Sequence, residues 1–434
     1  MKRPVVIGLL VAALVLVCVG IGSVIYFANG FPTNNPFDRL NISSSLEESK
    51  TLEVDAEQPI VLTVDSTAGH ITVTGGDVDT VQVNIVKTAY DSTQARADEE
   101  VKGIKYVIEQ TGNKITIKYE LPKSVNFNNN VNTVDFIVTV PNETSADIET
   151  SFGDVDVSGL KGNVSIKDDF GTITVADIEG ALFIDNNSGE INLRAVDAGS
   201  DDVEISTDFG KLTLEQVNGK NISLTSNSGT LKLNNVRATA EIFAKSDFGN
   251  VNFENGSAAS LNLETNSGKI SVIKVNMRNE IIVDDDFGDI ELTQVTANSY
   301  DLHTNSGSIT IDGAKGKVKA YTDFGNIEIE NAVNATVDLK TNSGSIDFGG
   351  SLGAGPHNIK SDFGSINLIL PSDSKLDVNL TTDFGKITSD IPISVTLNDD
   401  SGSGGGEIIG VTNGGGAELI VHTNSGSINI ITVK

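Results

Sequence analysis

Hydrophobic and polar residues alternate along most of this chain, in short runs punctuated by glycine. Ser308-Ile309-Thr310-Ile311 follows Gly307, and Asn326-Ile327-Glu328-Ile329 follows Gly325. Alternation at period two is a strand signal, and a glycine between two runs is a turn signal. The glycines closing these turns recur from Gly153 to Gly385 at intervals of 18 to 21 residues. Self-similarity at a nearly fixed period of this size predicts stacked units, each too small to bury its own apolar face. Each unit holds two short strands and no helical pattern intervenes. The expectation is therefore an all-β fold, a parallel β-solenoid (β-helix).

The alternation also assigns faces. Val318, Ala320, Thr322 and Phe324 share one phase, as do Val337, Leu339, Thr341 and Ser343 in the next unit. Side chains alternate across a strand, so these sets are expected to point inward, with Lys317, Lys319 and Tyr321 on the outer face. The corner glycine is expected to take a positive φ that a residue with a Cβ finds costly. The residue before it alternates: Phe287, Ser306, Phe324, Ser343 and Phe363 come in strict turn. A coil of one unit, about 20 residues, would stack Phe on Ser; a coil of two units, about 39 residues, would stack Phe on Phe. Like-on-like ladders at about 4.8 Å stabilise stacked strands, which favours the larger coil.

Outside the array the pattern changes. Lys2 and Arg3 precede an uncharged run, Pro4 to Ala28, long enough as a helix (about 37 Å) to span a bilayer core. Residues 1–30 are expected to form an N-terminal transmembrane helix that anchors the chain. The basic end stays in the cytoplasm, so this is a single-pass protein of the cell membrane with its bulk extracytoplasmic. A cleaved signal peptide is the competing reading, but its apolar region is shorter. Residues 31–50 carry prolines, asparagines and serines without periodicity and are expected to be a linker. Residues 51–150 are β-rich but irregular and are expected to be an N-terminal cap with the first coils. Within them Asp91 to Gly103 is a helix candidate, capped by Asp91 or Ser92, and Tyr106–Gln110 with Lys114–Tyr119 a hairpin. Residues 151–434 are the repetitive solenoid. Its rhythm loosens after Thr381: Asp383-Phe384-Gly385 follows Asp362-Phe363-Gly364 without an Asn-Ser-Gly between them, and Thr423-Asn424-Ser425-Gly426 restores one last unit.

Charge narrows the partners. The 59 acidic residues outweigh the 30 basic ones in a chain of 434, for a net −29. Nucleic acid, which needs a basic surface, is disfavoured as a partner. Cys18 is the only cysteine, so there is no intrachain disulfide and no cysteine metal site. It sits within the apolar run, and Val17 before it is not the small residue a lipoprotein signal needs.

No residue is assigned a catalytic, cofactor-binding or metal-ligating role, and no cofactor is expected. Asp-Phe-Gly is also a kinase signature, but it recurs here as a turn without the accompanying loops. His70, His303, His357 and His422 are far apart and lack metal-ligand spacing. The carboxylates Asp284, Asp285, Asp286 and Asp289 lack the nonapeptide code of calcium-bound β-rolls. Asp285 falls on the inward phase, where Thr or Ser usually stands, so it is expected near a corner or paired.

The units Ser-Gly-x-Ile-x-Ile and Phe-Gly-x-Ile-x-Ile, with the apolar N-terminus, resemble the bacterial putative-adhesin family, a domain of unknown function. The resemblance covers roughly Val54 to the C-terminus. It implies a β-solenoid displayed outside the membrane and brings no catalytic residues with it. The expected role is a non-enzymatic, membrane-anchored surface protein, adhesin-like or an envelope scaffold. Its partners would be the membrane, through the N-terminal helix, and a surface glycan or envelope protein. A polysaccharide-active β-helix enzyme and an envelope-stress sensor accessory are the alternatives.

Overall fold

The computed structural model describes residues 42–121, 131–399 and 404–432. The expected anchor, residues 1–30, lies outside the described residues. Among the described residues no helix is long and apolar enough to cross a membrane.

The array is a parallel β-solenoid of about eleven turns. One coil is one unit. Phe324 lies in register over Ser306 on one side and Ser343 on the other. This overturns the two-unit coil favoured by like-on-like stacking. Each coil has a strand entering the glycine corner, such as Ser299–Ser306, and a strand leaving it, such as Ile309–Asp312. Parallel pairing from coil to coil runs Tyr300↔Val318↔Val337 along the first and Ile309↔Ile327↔Ile346 along the second. The inward positions are aliphatic and almost wholly buried, giving one continuous core along the rod. Each coil contributes a few Ile, Leu or Val side chains, worth about 1.5–3 kcal/mol apiece when taken out of water.

The second corner was not legible in the sequence. Here a residue in the left-handed region turns each coil: Ala195 (φ 54°), Gln216 (57°), Asn235 (55°), Lys274 (54°) and Gln294 (54°) among others. For a residue with a Cβ this conformation costs about 1–2 kcal/mol, least for Asn or Asp. The stacking above and below each corner holds it there. Lys274→Gly is expected to stabilise its coil by about 0.5–1 kcal/mol, read from the denaturant midpoint; an unchanged or lower midpoint would contradict this account of the corner.

Both ends of the rod are built out of chain order. The first coil is β2 (Ile60–Ala68) with β3 (Ile71–Gly76). The chain then leaves through β4 (Thr80–Asp91), α1 (Gln94–Gly103), β5 (Val107–Thr111), β6 (Lys114–Tyr119) and β7 (Thr133–Pro141). β6 pairs with β2 and β7 with β3, so this later segment lies outside the first coil and covers its edge. β4 continues from β7 antiparallel, and β1 (Ile42–Glu53) closes antiparallel on β4. Residues 42–50, read from the sequence as the end of a linker, are therefore strand. Antiparallel strands and a helix blunt an edge that would otherwise template further pairing. Lys87, 4% exposed, is held in this cap by Glu48 at 2.5 Å, and Tyr106 donates to the same carboxylate at 2.6 Å. The hairpin of β5 and β6 forms as expected. The helix starts later than its acidic signal suggested: Thr93, not Asp91 or Ser92, accepts from Arg96 N.

At the far end, the coil containing His357–Phe363 is followed in sequence by Leu376–Phe384, but these two strands are not paired with each other. Ala417–Ser425 inserts between them and pairs parallel to both. Two antiparallel strands, Gly406–Thr412 and Ile393–Asp399, close the edge. The missing Asn-Ser-Gly unit is thus supplied in space by the last unit of the chain. Ser425 lies between Phe363 and Phe384, and the alternation continues unbroken.

Candidate functional site

The glycine corner carries the most regular chemistry of the molecule, and it is layered from inside to outside. Innermost, in most coils, is a hydroxyl three residues before the glycine. Thr322 donates to the carbonyl of Gly307 at 2.9 Å, Thr341 to Gly325 at 2.9 Å and Ser361 to Gly344 at 2.9 Å, each reaching the coil before it. Thr423 donates to Gly364 and Thr382 to Gly426, in spatial rather than sequence order. These side chains are buried, and the bond satisfies a hydroxyl that water cannot reach.

The glycines themselves stack on one another. A Cβ built on Gly307 would stand 1.8 Å from the carbonyl oxygen of Gly288, and one on Gly325 1.9 Å from that of Gly307. Of the corner glycines only Gly69, Gly153 and Gly189 have φ in the glycine-favouring range. Close backbone approach, not the expected positive φ, is what excludes side chains at the others.

Three coils depart from the hydroxyl rule; in one of them the amide of Asn186 donates to the carbonyl of Gly171 at 3.3 Å instead. Asp285 and Asp168 occupy the threonine position, 1% and 4% exposed. Oδ1 of each accepts from the backbone N of Phe287 or Phe170, while Oδ2 has no partner. Oδ2 of Asp285 and the carbonyl of Gly268 both crowd the point where a Cβ on Gly288 would lie, at 2.5 and 2.1 Å. Burial pushes both carboxyls up to about 7, with the neighbouring acidic residues adding to it. Asp285, expected near a corner or paired, is at the corner and carries one unpaired oxygen.

Between the buried layer and the surface runs an Asp–Asn ladder. Asn187 donates to Asp169 at 2.7 Å, Asn227 to Asp208 at 2.6 Å and Asn305 to Asp286 at 2.6 Å. The alternation therefore separates carboxylates that would otherwise stack at about 4.8 Å and repel.

Outermost are the phenylalanines, expected from their phase to point inward. They do not. The backbone bends at the corner, so Thr322 is buried and Phe324, two residues on, is 66% exposed. Phe209, Phe248, Phe287 and Phe363 are 60 to 64% exposed. They stand on every second coil with a serine between. Only at the N-terminal end do two meet: Phe152 and Phe170 stack with centroids 5.5 Å apart and planes 8° from parallel.

On the adjoining outer face, Lys317 and Lys319 are exposed and Tyr321 half-buried. Tyr321 stacks on His303 (5.2 Å, 3°), Lys340 lies over its ring, and its hydroxyl donates to Asp323. His303 pairs with Asp284 at 2.8 Å. His357 is a core residue: its Nδ1 accepts from Val337 N and its Nε2 donates to Gly353 O, which fixes the neutral tautomer, and burial lowers its pKa. His70 bonds Asp156 at 3.0 Å, which raises its pKa against the effect of burial. No hydroxyl is paired with His70 among the described residues. No group of three or more metal-ligating side chains occurs among them either. A hollow of about 610 Å³ is an open trough on the first coils, lined by residues such as Ser145, Ser165, Phe183, Asp202 and Lys220.

A search among curated proteins finds no match. The crystal structures similar to this chain include two of bacterial proteins. One, described as a "putative cell adhesion protein" from Clostridium sporogenes ATCC 15579, shares 11% identity over 90% of this chain and 100% of its own, with a TM-score of 0.21. The other, a "putative adhesin" from Bacteroides fragilis NCTC 9343, shares 15% identity over 68% of this chain and 96% of its own, with a TM-score of 0.22. The family model of the Toastrack DUF4097 domain matches residues 60–272 and again 254–431, nearly the whole described rod. By that match the chain belongs to the Toastrack DUF4097 family.

Proposed function

We propose that this protein is a non-enzymatic contact rod, tethered by its N-terminal apolar run and held outside the cytoplasm. The observation that carries the reading is the row of exposed phenylalanines, backed by the Asp–Asn ladder. Water-exposed aromatic rings repeated at a fixed interval are costly in a soluble surface and mark a place where something binds. Hydrolytic or lyase chemistry needs a cleft with non-repeating acid and base groups. The described surface offers uniform short turns and open, shallow hollows such as the trough on the first coils. The apolar run Pro4–Ala28 behind Lys2 and Arg3 supports the tether and its orientation.

The full chain, solubilised in detergent, is expected to bind glycan arrays or purified envelope fractions through this edge. Replacing Phe248, Phe287 and Phe324 together by serine is expected to weaken that binding at least tenfold, with circular dichroism unchanged because these rings lie outside the core. Binding untouched by the triple substitution, or turnover of a polysaccharide by the wild-type chain, would refute the reading.

A further inference from the structure

The geometry points to a second copy of this chain as the occupant of the phenylalanine edge. This inference rests on the edge being a contact surface, as proposed above, and names what it contacts. Two rods would pair antiparallel about a twofold axis, each inserting its phenylalanines into the serine slots of the other.

Periodicity is the first argument. Successive coils are about 4.8 Å apart, so phenylalanines on alternate coils are about 9.6 Å apart and each serine marks a slot midway. A ring entering that slot would lie about 4.8 Å from a ring on either side, within the stacking range of aromatic pairs. The molecule already makes such a contact within itself, Phe152 on Phe170 at 5.5 Å with nearly parallel planes. A surface of rings and ring-sized slots at half-period offset is complementary to itself. A uniform Phe ladder would not be, because its rings would meet head on.

Charge is the second. A twofold axis lying across the rods, in the interface, keeps the Asp–Asn ladder of each copy on the same side. The ladders therefore face each other. The half-period offset that seats Phe over Ser also sets Asp over Asn, since from Phe170 onward Asp accompanies each corner Phe and Asn each corner Ser. Asp286 belongs to the Phe287 corner and Asn305 to the Ser306 corner, with Asn305 already donating to Asp286. Each carboxylate would thus meet an amide across the interface rather than another carboxylate. In-register pairing would oppose the two acidic rows.

Area is the third. The seven corner phenylalanines from Phe170 to Phe384 are 52 to 66% exposed. At roughly 200 Å² per ring they leave on the order of 850 Å² open, close to the roughly 800 Å² per partner of a standard stable interface. A C2 contact also closes on itself and leaves no second patch to propagate a fibre. The edge alternates without interruption only because the last unit of the chain fills the gap between Phe363 and Phe384. With anchors at the N-terminal ends, antiparallel rods would join two facing membranes, which is homophilic adhesion.

Sedimentation equilibrium of the full chain in density-matched detergent is expected to give the mass of two chains, more fully at 0.5 M than at 0.05 M NaCl because both copies are acidic. Two variants test the mode of contact. The triple change F248S, F287S and F324S removes rings and is expected to yield single chains. The triple change S267F, S306F and S343F adds apolar surface but fills the slots, and is also expected to yield single chains. Non-specific adhesion would instead increase with the added phenylalanines. Full chain reconstituted in phosphatidylcholine vesicles is expected to cluster them, and neither variant to do so.

A single-chain mass for the wild type at 100 µM would overturn the inference, as would a slot-filled variant that still pairs. Pairing in detergent without vesicle clustering would refute the antiparallel arrangement. If the wild type is a single chain yet loses envelope binding on Phe→Ser substitution, the contact edge stands and only the second copy falls.

Discussion

Gly307→Ala is expected to destabilise the middle of the rod by about 3 kcal/mol or more, although it adds a single methyl group at a surface turn. The new carbon would stand 1.8 Å from the carbonyl oxygen of Gly288, which is backbone and has no rotamer to move to. Relief requires the coils to separate, and separation weakens the bond from Ile290 N to Ser308 O (2.9 Å) and the hydroxyl bond from Thr304 to Gly288 (3.2 Å). Gly103→Ala is the control, because nothing lies within 4 Å of its Cβ position. Coils of a solenoid contact only their neighbours, so the damage should be local. Hydrogen exchange is the suitable readout: amides between about Gly288 and Gly325 should lose protection, while those in β2 and β3 keep theirs. Equal protection in wild type and variant would show that the coils have slack the geometry does not suggest.

At pH 8, Asp285→Thr is expected to stabilise the protein by about 2–4 kcal/mol, a large gain for one substitution. The wild-type carboxyl is buried with Oδ2 unpartnered, and its pKa is raised to about 7 from the ordinary 3.8. Below pH 4 the group is protonated in both folded and unfolded chains and contributes no pH dependence. Between about 4 and 7 the folded chain holds a proton that the unfolded chain has released, so stability falls as pH rises. Above 7 the folded protein carries a buried carboxylate and the full penalty is reached. Threonine restores the hydroxyl that the adjoining coils use, in Thr265 and Thr304. The gain over wild type should therefore shrink towards zero at pH 4, where the protonated carboxyl can itself donate to the Gly268 carbonyl. Asp168→Thr should follow the same curve for the same reason. Comparing variant with wild type at each pH removes the general effect of the acidic surface. A gain independent of pH would mean that Asp285 is charged in the folded state throughout.

Such a carboxyl is also a reason to expect the rod to be firmest in mildly acidic solution. His357 sets the lower limit. Its pKa is lowered by burial, so protonating it below its ordinary value near 6.5 costs folding free energy, and stability falls again as pH drops.

Much of this molecule is written in its sequence. The period of 18 to 21 residues, the alternation within each unit and the glycine at each corner dictate short strands that cannot bury themselves singly and must stack. The hairpin before Lys114, the irregular cap and the looser C-terminal region are legible for similar local reasons. Coil size, the outward turn of the phenylalanines and the out-of-order ends were decided by the tertiary structure. Alternation assigns Phe324 to the inner face only if the strand runs straight to it, and the corner bends after Thr322. Phe over Ser looks unrewarding as a stacking contact, because serine has no ring to offer. It becomes intelligible once Asn305 is seen donating to Asp286, because the same alternation keeps carboxylates apart. The second corner carries glycine in two coils, Gly159 and Gly313, and elsewhere stacking on both sides holds residues such as Lys274 or Gln294 in a conformation neither would choose alone. The gap between Phe363 and Phe384 reads as decay of the repeat. Only the pairing of Ser425 with both shows that the unit absent from the sequence order is present in space. Local sequence determines what each coil is; which coil lies beside which is settled by long-range pairing, and no local pattern encodes that.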